Sequence, residues 1–179
     1  MLDDSSRHAY AAVTTVFART VFDQNALGRE RGHDGRRPGS YARAFRSDAG
    51  RHNGLYWPTA EGESESPAGD FVAAAASEGY RDSDEPSPYH GYYYRMLYAQ
   101  GANAPGGAMD YFEGGRLING FALVAWPADY GVSGVKTFMV NQDGTVYEKD
   151  LGDDTATAIT TIELFDPDTS WAKVEEVSM

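Results

Sequence analysis

The sequence predicts an α+β fold in which N-terminal helices pack on a roughly four-stranded antiparallel sheet and a C-terminal helix follows. In the first part of the chain, apolar residues recur at three- and four-residue spacing, as on one face of a helix. From about residue 91 onwards, short apolar and aromatic segments are separated by turn residues. Successive strands with short connections pair antiparallel, so this second part predicts one antiparallel sheet.

A chain of 179 residues is predicted to form a single domain. The pattern changes along the chain divide it into an Arg-rich helical portion (1–53), a linker and helix (54–90), the antiparallel sheet (91–152), and a terminal helix and tail (153–179). Helices first, strands second and one closing helix is the order of an α+β fold with one face of its sheet covered.

Three helices are predicted before the sheet, over residues 6–23, 41–47 and 67–78. The first has its apolar residues on one face, and Ser40 is placed to cap the second. Pro67 lies near the first turn of the third helix and Gly79 follows its last turn, positions that these residues favour. The aromatic segment over 54–58 is expected to be extended.

Four strands are predicted, over residues 92–100, 121–126, 134–141 and 145–151. Period-two alternation in the first strand places Tyr92 and Tyr94 on one face, and Tyr93 and Arg95 on the other. Asp143-Gly144 predicts a tight turn between the last two strands, because this dipeptide supplies the positive φ angles that a hairpin needs.

The C-terminal part predicts a helix and a docked tail. Asp153 or Asp154 is expected to cap the helix, which reaches about residue 164. Trp171 lies in the short tail that follows, and we expect it to dock on the body of the domain.

Charge is distributed unevenly. The 15 basic and 27 acidic residues give a net charge of −12, but residues 1–60 sum to +3 and residues 61–179 to −15. One interpretation is that the arginines between residues 29 and 51 are solvated and pair with the acidic body; the other is an electrostatic surface for an acidic partner, including another copy of the chain. The candidate partner-binding residues are Arg29, Arg31, Arg36, Arg37, Arg43 and Arg46.

Several long motifs resemble the bacterial family known as domain of unknown function 2950. They are Gly54-Leu55-Tyr56-Trp57-Pro58, Pro88-Tyr89-His90-Gly91-Tyr92-Tyr93-Tyr94-Arg95, the runs over 120–134 and 138–152, and Phe165-Asp166-Pro167-Asp168 with Trp171. This resemblance covers roughly residues 40–175. The resemblance implies an exported protein of unassigned activity, located in the periplasm or outside the cell. Such proteins usually carry an export signal, and the first residues of this chain lack its basic and apolar regions, so we expect a processed or shortened form.

A weaker similarity is to the globular domain of type IV pilins and pseudopilins. In those domains an N-terminal helix lies against an antiparallel sheet, and the last hairpin carries a turn like residues 141–144. This similarity implies a pilin-like arrangement of the elements. It says nothing about filament assembly, because the apolar N-terminal helix by which pilins polymerise is missing from this sequence.

A candidate ligand pocket is formed by Trp57, His90, Tyr92 and Arg95. In one interpretation, aromatic rings line a site in which His90 and Arg95 hold a polar or anionic ligand. In the other, His90 is a structural residue whose ring bonds to a loop backbone at the entrance to the first strand. No catalytic residue is predicted, because no nucleophile elbow, phosphate loop or dinucleotide fingerprint occurs.

Other functional classes are excluded or disfavoured. The absence of Cys excludes disulfides and thiolate metal sites, and the His residues lack metal-ligand spacing, so no metal or cofactor is predicted. Residues 141–152 do not match a calcium loop, because the glycine and the final glutamate are misplaced. An acidic chain disfavours nucleic-acid binding, and no apolar run approaches the roughly 20 residues that span a membrane.

Two functional hypotheses remain open. The favoured one is a non-enzymatic protein, either exported or associated with the periphery of the envelope, that binds a protein partner or associates with itself through the Arg-rich segment or a sheet edge. The alternative is a protein that binds, or hydrolyses, an envelope glycan or another small ligand through the aromatic pocket.

Overall fold

A computed structural model describes residues 40–44, 47–51, 54, 57–58, 88 and 90–174. The helices predicted over 6–23 and 67–78 lie outside these residues. The elements are β1 (Tyr92–Leu97), β2 (Ala99–Gln100), β3 (Met109–Asp110), β4 (Phe112–Glu113), β5 (Arg116–Leu117), β6 (Ala122–Pro127), β7 (Lys136–Asn141), β8 (Val146–Asp150), α1 (Thr155–Ala158), a 3-10 turn (Ile159–Thr161) and β9 (Ala172–Lys173).

The main sheet has five strands in the order β1-β6-β7-β8-β9, and every pair in it is antiparallel. The predicted antiparallel sheet is therefore confirmed, with one strand more than predicted. The extra strand is β9, which pairs with β8 at Tyr147 and Glu148 and includes only two residues. Its sequence has no apolar alternation, so pairing with a distant strand, rather than local pattern, makes it a strand.

The two faces of β1 follow the predicted alternation. Tyr93 lies opposite Trp126 and Tyr94 opposite Ala125, so side chains from neighbouring strands alternate together between the two faces. Arg95 contacts Trp126 and the residues after α1, which lie on the face that Tyr93 shares. Tyr92 contacts Phe138 on the opposite face.

Two small hairpins, β2–β3 and β4–β5, interrupt the chain between β1 and β6. The strand predicted over 92–100 consequently breaks at Tyr98, whose carbonyl accepts the Tyr111 N–H. Next to this break, the buried Gln100 amide donates to the carbonyls of Pro105 and Gly107, and its oxygen accepts the Tyr111 hydroxyl. All the polar atoms of the Gln100 side chain are thus used to hold the hairpins together.

The turn between β7 and β8 lies where it was predicted, but its conformation differs. Gly144 has a φ of 78°, whereas Asp143 is not among the described residues with positive φ. The Gly144 N–H donates to the Asn141 carbonyl, and the Asn141 side chain accepts the Asp143 N–H. Only one left-handed residue is used, as in a hairpin built on a type I turn followed by glycine.

The C-terminal helix is shorter than predicted, because the α-helical part ends at Ala158 and the 3-10 turn ends at Thr161. Thr160 and Thr161 donate their hydroxyls to carbonyls three residues earlier, and β-branched side chains disfavour longer helices. Asp154 occupies the N-cap position without a side-chain cap bond. Trp171 is half-buried against the core, as predicted for the tail.

The helix predicted over 41–47 is wrong for its described residues, because residues 40–44 are not helical. The Tyr41 N–H donates to the Leu117 carbonyl, and the Tyr41 ring packs edge-on against Phe121. Ala42 is buried, whereas Ala44 is exposed. Among the described residues, no helix is long and apolar enough to cross a membrane.

Replacing Gly144 with Val is expected to lower the free energy of unfolding by more than about 1 kcal/mol. No atom lies within 4 Å of a Cβ placed on Gly144, so the cost comes from the left-handed backbone rather than from a clash. Urea denaturation measures it, and Ala102→Val, at an exposed residue, is the control. An unchanged midpoint for the Gly144 variant would contradict this turn.

Replacing Phe138 with Ala is expected to lower the free energy of unfolding by about 3–5 kcal/mol. Phe138 is 2% exposed and its ring lies 6.0 Å from that of Tyr92. Val132→Ala is the control, because Val132 is 75% exposed and its truncation should change stability little. A loss below about 1 kcal/mol for Phe138 would place its side chain outside the core.

Candidate functional site

The four residues of the predicted ligand pocket do not share one pocket. Tyr92 and Arg95 are three positions apart on β1, so their side chains lie on opposite faces of the main sheet. Their contacts agree with this: the Tyr92 ring packs near Phe138, and the Arg95 guanidinium lies over Trp126. Side chains alternate between the two faces along a β-strand, so the sequence already indicated that Tyr92 and Arg95 could not line the same pocket.

Tyr92 is a core residue. It is 1% exposed, and burial, followed by the charge of Glu148, raises the pKa of its hydroxyl. Gly134 lies directly against the ring, since a Cβ on Gly134 would come within 2.1 Å of the Tyr92 hydroxyl oxygen. The contact requires glycine and leaves the ring packed between a loop and the sheet.

Arg95 holds the segment after α1 against the sheet. One of its terminal nitrogens donates to the carbonyls of Ile159 and Ile162, at 2.8 Å and 2.6 Å. Its guanidinium carbon lies 5.7 Å from the centre of the Trp126 ring. The Ile159 carbonyl also accepts the Ile162 N–H, so Arg95 gives it a second donor, and a cation is favourable beside carbonyls at the end of a helical turn. The structure thus uses the charge of Arg95 internally.

Trp57 and His90 complete the predicted pocket. Trp57 is 5% exposed, so its ring belongs to the buried interior. His90 is half-buried and has a φ of 48°, and Gly91 follows with a φ of 77°. Two successive left-handed residues make a sharp turn into β1, a backbone role that the sequence did not predict for His90.

Arg43 is the predicted partner-binding residue that the structure describes; the others, Arg29, Arg31, Arg36, Arg37 and Arg46, lie outside the described residues. Arg43 is exposed, and its guanidinium lies 5.0 Å from the centre of the Phe112 ring. The Tyr98 hydroxyl donates to the Arg43 carbonyl at 2.7 Å, and the Tyr98 and Phe112 rings are 5.5 Å apart. We call these three residues the basic-aromatic patch.

The basic-aromatic patch remains at the surface although its members contact one another. Tyr98 is 39% exposed, one of the few large apolar side chains in the described part of the chain with such exposure. Burial, opposed by the charge of Arg43, raises the pKa of its hydroxyl. An arginine stacked on a ring beside an exposed tyrosine has the composition of a protein-binding surface. Sequence reasoning missed Tyr98 and Phe112, whose contacts with Arg43 are long-range.

A second exposed surface lies on the loop between β6 and β7. Val132 is 75% exposed there, and Asp129 in the same loop is also exposed. The Tyr130 hydroxyl donates to Asp150 at 2.9 Å, which raises the pKa of Tyr130 and joins the loop to the end of β8. We call Asp129, Val132, Asp150, Asp153 and Asp154, all exposed, the acidic loop end.

Metal binding finds no support among the described ranges between residues 40 and 174, which contain no group of three His, Asp or Glu side chains arranged to hold an ion. Asn141 and Asp143, which superficially resemble calcium ligands, hydrogen-bond to each other across the hairpin turn. These groups stabilise a turn instead of presenting free ligands.

Comparison with protein-family models shows which family the chain resembles over most of its length. The family model described as "Protein of unknown function (DUF2950)" matches residues 10–174. Searches of the curated proteins and of the solved structures gave no match. The family match covers most of the chain, including both exposed surfaces and the whole main sheet.

Replacing Arg95 with Met is expected to lower the free energy of unfolding by about 2 kcal/mol, because two carbonyls lose a charged donor. Amide exchange over residues 155–162 should accelerate at the same time, since this segment would lose its contact with the sheet. Arg95→Lys, which keeps the charge but lacks the planar donor group, should lose less. Unchanged stability and exchange in Arg95→Met would show that Arg95 is available to a ligand.

Proposed function

We propose that this chain, which belongs to the DUF2950 family, is a non-enzymatic, exported or envelope-associated protein that binds a protein partner or its own copies. The observation that carries the proposal is the basic-aromatic patch of Arg43, Tyr98 and Phe112. Export and a periplasmic or extracellular location rest on the resemblance of the motifs to exported proteins, and they belong to the proposal.

The patch supports partner binding because its side chains are arranged before a partner arrives. The Arg43 guanidinium lies over Phe112, and Tyr98 is fixed through its hydroxyl. Side chains that are already ordered lose less conformational entropy on association, and Tyr and Arg are enriched among the residues that dominate binding energy.

The glycan or small-ligand alternative is supported less well. It needs Trp57, His90, Tyr92 and Arg95 to face one cavity, whereas Tyr92 and Arg95 lie on opposite faces of the sheet. Arg95, the cation proposed to hold an anionic ligand, donates to two backbone carbonyls. The geometry therefore favours a surface interaction over a pocket.

We also propose a pilin-like arrangement in which the helices predicted over 6–23 and 67–78 pack on the main sheet. Its support is the apolar spacing of the first segment, the positions of Pro67 and Gly79 at the ends of the second, and the order of helices before strands. Far-ultraviolet circular dichroism tests the first step, because these helices would raise the helical content well above that of α1 and the 3-10 turn. A helical content limited to those two short elements would contradict it.

Replacing Arg43 with Glu is expected to weaken association of the full chain, with itself or with a partner captured by crosslinking, by about tenfold or more. Arg51→Glu is the matched control, because Arg51 is also an exposed arginine. Sedimentation of the wild type at about 0.05 M and about 0.5 M salt should show weaker association at the higher salt concentration, since salt screens exposed charges.

The proposal fails if the chain is an unchanged monomer at both salt concentrations and crosslinking captures no partner. It also fails if Arg43→Glu and Arg51→Glu weaken association equally, because the effect would then reflect net charge alone and not the basic-aromatic patch.

A further inference from the structure

We propose that copies of this chain associate head to tail, with the acidic loop end of one copy docking on the basic-aromatic patch of the next. This inference rests on the proposed function, since it takes the basic-aromatic patch as a binding surface and names its partner as a second copy. Four observations support it: the placement of the two surfaces, the hydrogen-bonded conformation of the loop between β6 and β7, the exposed tip of that loop, and the opposite charges of the two surfaces.

The two surfaces lie at opposite ends of the main sheet. In the antiparallel pair β1–β6, Tyr92 lies opposite Pro127 and Leu97 opposite Ala122. The loop that carries Val132 follows Pro127, whereas Tyr98 follows Leu97, so the sheet separates them along its strands. Asp150 lies at the loop end, because it pairs with Lys136 at the start of β7.

The loop is held in one conformation by its own hydrogen bonds. The Ser133 hydroxyl accepts the Asp129 N–H and donates to the Asp129 carbonyl, and the Ser133 N–H donates to the same carbonyl. The Gly131 N–H donates to the Gly134 carbonyl, and the Ala128 N–H donates to the Gly91 carbonyl at the start of β1. An ordered loop that exposes an apolar tip is suited to insertion into a partner surface.

Val132 supplies the apolar contact and the acidic residues set the choice of partner. Val132 is the most exposed large apolar side chain in the described ranges. Four acidic residues are exposed at the same end of the sheet: Asp129, Asp150, Asp153 and Asp154. Two half-buried lysines also lie at this end: Lys136 at the start of β7, and Lys149, which precedes Asp150 and donates to the Ser170 hydroxyl. A surface of this kind is complementary to one that offers aromatic rings beside a cation.

The basic-aromatic patch offers those groups. Arg43 presents a guanidinium on the Phe112 ring, and Tyr98 adds an exposed aromatic surface. Two acidic residues lie nearby: Asp110 accepts the Phe112 N–H, and Glu113 faces Arg116 in the β4–β5 pair. Within the whole sequence, the surplus of base is confined to residues 1–60, which include Arg43.

Charge also decides against a symmetric contact between two acidic loop ends. Two copies joined through these ends would bring like charges together, which costs free energy. A contact between different surfaces leaves one loop end and one patch free on each pair, so association can continue into a ring or an open chain. Head-to-tail association therefore predicts assemblies larger than dimers.

The test mixes two full-length variants, each damaged at one end. Val132→Lys damages the loop end, because it removes the apolar tip and places a cation opposite Arg43, and Arg43→Glu damages the patch. Thr160→Lys and Arg51→Glu are controls that introduce the same residues at exposed positions elsewhere. Sedimentation velocity is measured for the wild type, for each variant and for the equimolar mixture, over a range of concentrations at low salt.

We expect the wild type and both controls to form species beyond dimers as concentration rises, and each damaged variant alone to associate about tenfold more weakly. The mixture should form one-to-one dimers and nothing larger, because one intact loop end and one intact patch remain to pair. A mixture that stays monomeric, or a Val132→Lys variant that associates like the wild type, would overturn the inference.

The outcomes separate this inference from the proposed function. If Arg43→Glu alone loses association with itself or with a crosslinked partner while Val132→Lys does not, the patch is a binding surface for another occupant and only the head-to-tail inference fails. If neither variant differs from its control and no partner depends on Arg43, both fail.

Discussion

The antiparallel pairing of β1 with β6 is the constraint on which the other described features depend. It sets Tyr92 against Pro127 and Leu97 against Ala122, and so determines which side chains share a face and which loops share an end. Through it, Tyr92 and Arg95 are directed to opposite sides of the sheet. The same register places the Val132 loop and Tyr98 at opposite ends, so the acidic loop end and the basic-aromatic patch are separated along the strands.

Polar groups within this body serve mainly to hold its segments together. Arg95 holds the residues after α1 against the sheet. Gln100 makes three hydrogen bonds within the segment that connects β1 to β6. Asp166 accepts both the backbone and side-chain N–H groups of Asn103 and so fixes a third connection. Buried or half-buried groups with internal partners stabilise a fold and are not available to select a ligand.

Sequence patterns predicted the strands well where the pattern was local. The apolar run between Gly120 and Pro127 predicted β6 to within one residue, and the turn at Gly144 was placed correctly. Long-range contacts account for the failures. The break at Tyr98 depends on Tyr111, the non-helical Tyr41 on Leu117, and β9 on pairing with Tyr147, none of which leaves a local signal.

The candidate site shows the same division between local and long-range information. Arg43 was selected from the sequence because arginines cluster around it, but its ring partners, Tyr98 and Phe112, are far along the chain. The predicted pocket combined three residues that are close together in the sequence, His90, Tyr92 and Arg95, with the aromatic residue Trp57. Strand alternation separated two of them, which nearness in sequence does not reveal.

The central claim is that this protein associates through the two ends of its sheet. Hydrogen–deuterium exchange on the full-length wild type, compared between dilute and concentrated samples at low salt, tests it most directly. Our account predicts that exchange slows with concentration around Tyr98 and Phe112 and around residues 129–134 together, while β6 and β7 are unchanged. Slower exchange at neither end, or along the strands of the sheet instead, would contradict it.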